Sequence, residues 1–166
     1  MKYLVDSNIL ITASRTFYNF TFGNNFWDFL LQEAQEGRIA SIDKVLAEIN
    51  KGDDELKKWA KEKFLGYFLS TKSKQVLEHY AILIQWADTQ RQIYSENAIN
   101  EFMMEDNADT WLLAFAMTKR EEYIIVTFEK ENNQIKRKIP LPNVCKYFQI
   151  KYCDLYQMLK NLNFKF

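Results

Sequence analysis

Asp6, Glu48, Asp109 and Glu129 lie far apart in the chain, yet each falls where an element ends or a helix begins. Asp6 follows the apolar run Tyr3-Leu4-Val5, and Glu129 follows Tyr123-Ile124-Ile125-Val126-Thr127. Glu48 and Asp109 sit in or near the starts of helical stretches. Four carboxylates gathered at one point repel one another unless a cation lies among them. Oxygen donors without imidazole or thiolate suit Mg²⁺ or Mn²⁺. A divalent ion on Asp6 and Asp109 can polarise a phosphate oxygen and acidify a water molecule, so the expected chemistry is metal-assisted phosphoryl transfer to water. Glu48 and Glu129 then ligate directly or hold metal-bound water. Asn8 and Thr127 carry no charge and can orient the carboxylates. Asp106 shares a helix face with Asp109 if the helix has begun there, which makes it a further ligand candidate.

Each of these residues also has an ordinary structural role. Asp6 can simply turn the chain after a strand. Asp109 is a first-turn acid of the kind a helix dipole favours, and Asp106 can be an N-cap. Glu48 can be a rim residue and Glu129 a solvated loop acid. Lys136-Arg137-Lys138 can bind RNA phosphate or be a solvated edge. His79 is the only histidine, with no acid or hydroxyl motif around it, which argues against Ser-His-Asp and Cys-His mechanisms.

The elements that must position these groups can be read from periodicity and punctuation. Lys2 to Val5, Ile39 to Ile42, Tyr67 to Leu69, residues 123–127 and the extended Phe148 to Tyr152 read as strands, with Ile135 to Ile139 as an edge strand stopped by Pro140 and Pro142. Helical patterns begin at Asn24-Asn25, at Asp43, at Asp53-Asp54-Glu55, over 73–93, over 96–104, at Asp109, at Asn143 and at Asp154. Strands alternating with helices predict one α/β domain over residues 1–166, a three-layer αβα fold with a mainly parallel sheet of four or five strands. Ligands of such sheets bind beyond the carboxyl ends of the strands, where Asp6 and Glu129 fall.

Composition narrows the class. Hydrophobic residues make up 48% of 166, enough for a core and too many for disorder. Lys+Arg and Asp+Glu are both 22, so no global field steers an anionic polymer, and nucleic-acid binding must rest on local patches and bound metal. Cys145 and Cys153 lack zinc or redox spacing and read as free thiols of a reducing cytoplasm. No signal peptide or membrane-length apolar run is evident, so a cytoplasmic protein is expected. The aromatics between residues 17 and 30 are either core or an exposed surface for self-association or an inhibitor.

Val5-Asp6-Ser7-Asn8, Val45-Leu46-Ala47-Glu48-Ile49, the helix Ala108-Asp109-Thr110-Trp111-Leu112-Leu113-Ala114-Phe115-Ala116 and Ile125-Val126-Thr127-Phe128-Glu129 resemble, in order, the acidic motifs of the PIN-domain nucleases. The resemblance spans essentially the whole chain. It implies a PIN-like fold, Mg²⁺ or Mn²⁺, an RNA substrate and endoribonuclease activity. The segments Phe26-Trp27, Lys138-Ile139-Pro140 and Val144-Cys145 resemble a branch related to toxin–antitoxin pairs, which implies an antitoxin protein as a partner. The fourth acid of the family is usually aspartate; Glu129 reaches about 1.5 Å further, which suits a water-mediated role. The rival readings are a non-catalytic PIN-like scaffold that binds protein, an aspartyl-phosphate phosphatase and a phosphoacceptor domain. The phosphatase needs a second aspartate where Asn8 stands, and the phosphoacceptor needs an acidic pair beside the first strand.

Overall fold

In the computed structural model, which describes residues 1–52 and 54–165, the first apolar run forms strand β1 (Lys2–Val5) and leads through Asp6 into helix α1 (Ser7–Arg15). Helix α2 (Asn24–Gln35), strand β2 (Ile39–Ile42), helices α3 (Asp43–Ile49) and α4 (Glu55–Glu62) and the short strand β3 (Phe68–Leu69) follow. Helices α5 (Lys74–Asp88), α6 (Glu96–Met103) and α7 (Ala108–Met117) precede strand β4 (Tyr123–Val126), and α8 (Leu141–Phe148), β5 (Lys151–Cys153) and α9 (Leu155–Asn161) complete the chain. Asp53, expected to help open α4, lies outside the described residues; Asp54 is the N-cap and accepts from the Lys57 N–H.

The five strands form one all-parallel sheet in the order β3-β2-β1-β4-β5, within a three-layer αβα fold. The order grows outward from β1 in one direction and then restarts at β4 in the other. The switch point, where such sheets leave a crevice for ligands, therefore lies between β1 and β4. Val5 pairs with Val126 in register, so Asp6 and Thr127 emerge side by side beyond the carboxyl ends. The Asp6 N–H donates to the Val126 carbonyl at 3.1 Å and holds that placement.

The strands read as continuous apolar runs because helices cover both faces of the sheet; Leu4, Val5, Ile39, Ile42, Ile125 and Val126 are buried. Helix α7 is almost uniformly apolar for the same reason, and every residue in it except Asp109 is buried. Each such aliphatic side chain contributes roughly 1.5–3 kcal/mol by leaving water.

Several expectations need correction. Ile135 to Ile139 is not a strand; the second neighbour of β4 is β5. The segment is instead shaped by side chains: Asn143 Oδ1 accepts from the Asn132 N–H at 2.9 Å, and Lys138 turns inward. The helix over 73–93 stops at Asp88, and the helix expected at Asn143 begins at Leu141, with Pro142 in its first turn. Gly23, not Asn24, is the N-cap of α2, and the position requires glycine, because a Cβ there would lie 2.6 Å from Tyr18 Cα. Asp43 opens α3 from inside, and its carboxylate accepts from the Thr71 hydroxyl and N–H at 2.8 and 3.1 Å.

Most aromatics between residues 17 and 30 are core. Trp27 is buried, stacks on Phe20 at 4.3 Å and donates from Nε1 to the Tyr18 carbonyl at 2.6 Å. Tyr18 stacks on Phe26 at 4.1 Å, whereas Phe17 and Phe22 are exposed. Among the described residues no helix is long and apolar enough to cross a membrane.

Candidate functional site

Asp6 is the anchor of the acidic centre. It is the N-cap residue of α1, yet its side chain makes no cap hydrogen bond. The carboxylate turns instead to the crevice, where it accepts from the Ser7 hydroxyl at 3.3 Å and from the Thr127 hydroxyl at 3.3 Å. It is buried, with no cationic partner among the described residues. Burial raises its pKa, the Glu129 and Glu48 carboxylates raise it further, and together they push it up to about 6.

Ser7 joins two of the predicted acids. Its buried hydroxyl also lies 2.5 Å from Glu48 Oε2, so one oxygen connects Asp6, at the end of β1, with Glu48 on α3. A single hydroxyl proton cannot serve both carboxylates fully, which leaves their negative charge under-compensated. The sequence reading assigned this supporting role to Asn8, which is exposed on α1 and forms no side-chain hydrogen bond among the described residues. The Thr127 hydroxyl reaches Asp6 and accepts the Glu129 N–H at 3.2 Å.

Asp109 enters from α7. Asn107 is the N-cap there, accepting from the Asp109 N–H at 3.0 Å, and this fixes the first turn at the crevice. Glu48 Oε1 lies 3.4 Å from the Ala108 N–H at the same helix start, tying α3 to α7. The Asp109 carboxylate accepts no hydrogen bond among the described residues. Its pKa is raised well above the ordinary carboxylate range, first by burial and then by Asp6 and Glu129, with Lys138 opposing. Asp106 does not join this group. The helix has not begun at that position, and Asp106 is exposed beside Lys51 at 3.8 Å.

Glu129 reaches the centre in a different state. Its Oε1 pairs with the Lys138 ammonium, and its Oε2 accepts from the Leu141 N–H at 2.8 Å. Both oxygens are thereby engaged by the protein. Lys138 thus belongs to the acidic centre, while Lys136 and Arg137 are exposed and form no ion pair among the described residues. A separate cleft lined by Lys44, Ala47, Lys51, Glu105 and Asp106 opens onto Glu48. Lys44 lies over the Trp111 ring at 4.8 Å. Neither lysine was singled out from sequence, because only the fold brings them beside Glu48.

Among the described residues no three Asp, Glu, His or Cys side chains stand as a ready-made metal cage. The reason is visible in the bonds: Asp6 and Glu48 are drawn onto Ser7, and Glu129 onto Lys138. The donor chemistry nevertheless fits a hard divalent cation. Asp6, Glu48 and Asp109 offer only carboxylate oxygens, and a bound cation would relieve the repulsion that raises the pKa values of Asp6 and Asp109.

A family model described as a domain of unknown function, DUF4411, matches residues 3–166. No curated protein and no solved structure matches the chain.

Proposed function

The chain belongs to the DUF4411 family, and we propose that it is a divalent-metal-dependent endoribonuclease of PIN-like type. One observation carries this reading. Asp6 and Asp109 come from a strand end and a helix start at the switch point of a parallel sheet; burial, then Asp6 and Glu129, raise the Asp109 pKa, and its carboxylate accepts no hydrogen bond among the described residues. Such an arrangement is costly for a structural pair and useful for cation binding.

Asp6, Asp109 and Glu48 would hold the ion. A bound Mg²⁺ or Mn²⁺ supplies Lewis-acid activation of a phosphodiester and of water. Ser7 and Thr127 keep the Asp6 oxygens turned into the crevice. Lys44 and Lys51, in the cleft beside Glu48, offer ammonium groups to the phosphates that flank the scissile bond. Lys136 and Arg137, exposed on the loop before α8, offer further positive charge to RNA phosphate. The resemblance further implies an antitoxin protein as the partner that closes the site.

The direct test is cleavage of end-labelled single-stranded RNA in Mn²⁺ or Mg²⁺, with chelator as the control. Cleavage that persists in chelator, or in the Asp6→Asn variant, removes the metal mechanism. A second reading, a protein-binding scaffold with no catalysis, is favoured by the engagement of both Glu129 oxygens. Mn²⁺ separates the two: an intact centre gains thermal stability on adding it, and a scaffold does not.

A further inference from the structure

Lys138 lies outside the helices and strands, yet its ammonium reaches the acidic centre. It pairs with Glu129 and also faces Asp109 and Glu101. With Asp109, Asn107 and Leu141 it lines a space of about 10 Å³, room for one water-sized particle. Holding a lysine there is not the default. The side chain surrenders rotamer freedom and part of its hydration, so it stays only where negative charge compensates. Lys136 and Arg137, next to it in sequence, are exposed.

The backbone around Lys138 is fixed on both sides. The Lys136 carbonyl accepts from the Ser95 N–H at 2.8 Å, and the Leu141 N–H donates to Glu129 at 2.8 Å. The ammonium is therefore delivered onto Glu129, at the small space that Asp109 also lines, by a loop anchored to α6 and α8. An ion bridging those two acids would need the same Glu129 oxygen and would meet a positive charge in its place.

We propose that Lys138 is the built-in second cation of this centre: its ammonium takes the place between Glu129 and Asp109 that a second divalent ion would take. The centre then accepts one ion, on Asp6, Glu48 and Asp109. The idea rests on the metal-dependent reading above. Glu129 is on this account a positioning residue, holding the ammonium beside the ion that Asp109 binds. The loop of residues 130–140 thus sets the metal count of the site.

The test is the number of Mn²⁺ ions bound per chain, read by calorimetric titration and by electron paramagnetic resonance of free Mn²⁺. The unmodified protein is expected to bind one ion. Lys138→Met keeps the length of the stem, frees Glu129 and should bind two. Lys138→Arg keeps the charge and should return to one. Two ions on the unmodified protein, a count that does not depend on any variant folding, overturns the proposal. So does a single ion on both Lys138→Met and Lys138→Gln, with the metal reading left standing. No Mn²⁺ bound to the unmodified protein overturns the metal reading itself, and this proposal with it.

Discussion

At the scale of residues, the centre is defined by charge that the protein leaves incompletely answered. Among the described residues Asp6 has two hydroxyls, both at 3.3 Å, and no cation, and the Asp109 carboxylate has no hydrogen-bond donor. Asp6→Asn keeps the shape and removes one negative charge. It should lower RNA cleavage by roughly a hundredfold or more, because a ligand is lost where even an outer-sphere partner matters ten- to a hundredfold. The same change should raise the melting temperature of the metal-free protein, since a buried charge has been removed. Cleavage at the unmodified rate would sink the proposed role of Asp6. Ser7→Ala should act differently. It leaves all four acids in place but releases Asp6 from Glu48, so Mn²⁺ affinity should weaken by about tenfold. Unchanged Mn²⁺ affinity by calorimetry would show that the hydroxyl bridge does not organise the ligands.

At the scale of elements, the site depends on where strands stop and helices start. Asn107 caps α7 and thereby aims Asp109. Asn107→Ala should cost about 1 kcal/mol, or roughly 2–4 °C of melting temperature for a chain of this size. It should also reduce Mn²⁺ affinity by loosening the first turn. A thermal loss with no change in Mn²⁺ affinity would separate capping from positioning. Much of this scale was legible in the sequence. The runs Tyr3-Leu4-Val5 and Ile124-Ile125-Val126 had to be buried parallel strands, and an apolar stretch headed by Asp109 had to be a buried helix with one polar end. What stayed hidden depends on tertiary contacts. Ser7 rather than Asn8 faces the crevice because Asn8 falls on the solvent side of α1's first turn. Ile135 to Ile139 looked like an edge strand stopped by Pro140 and Pro142, but the inward turn of Lys138 and the Asn132–Asn143 bonds give its backbone another course. Among the aromatics, Trp27 and Phe26 went to the core, a choice composition cannot make.

At the scale of the whole molecule, the acids tie stability to pH, and the tie should change sign with metal. In the folded protein Asp6 titrates at about 6 and Asp109 well above its ordinary range, against an ordinary 3.8 for an aspartate carboxyl. The folded state therefore holds protons that the unfolded chain has released. The stability this contributes is full below about pH 3.8 and is lost as pH rises through about 6. Other groups titrate too: Glu131, held low by Lys146, contributes in the opposite direction as pH falls. Comparison with Asp6→Asn isolates the centre. In chelator the two proteins should melt at similar temperatures at about pH 3.5, below both pKa values of Asp6. By pH 7.5 the unmodified protein should melt lower by roughly 5 °C, a difference on the order of 2 kcal/mol. Saturating Mn²⁺ should reverse this. Protons and metal compete for the same carboxylates, so affinity rises with pH, and a hundredfold excess over the dissociation constant adds about 2.7 kcal/mol. The unmodified protein should then melt above the variant at pH 7.5, whereas the variant gains little. Parallel melting curves for the two proteins at every pH, with and without Mn²⁺, would mean that Asp6 is neither a strained acid nor a ligand. A reversal seen with Mn²⁺ and not with Ca²⁺ would further mark the centre as one suited to a small octahedral ion.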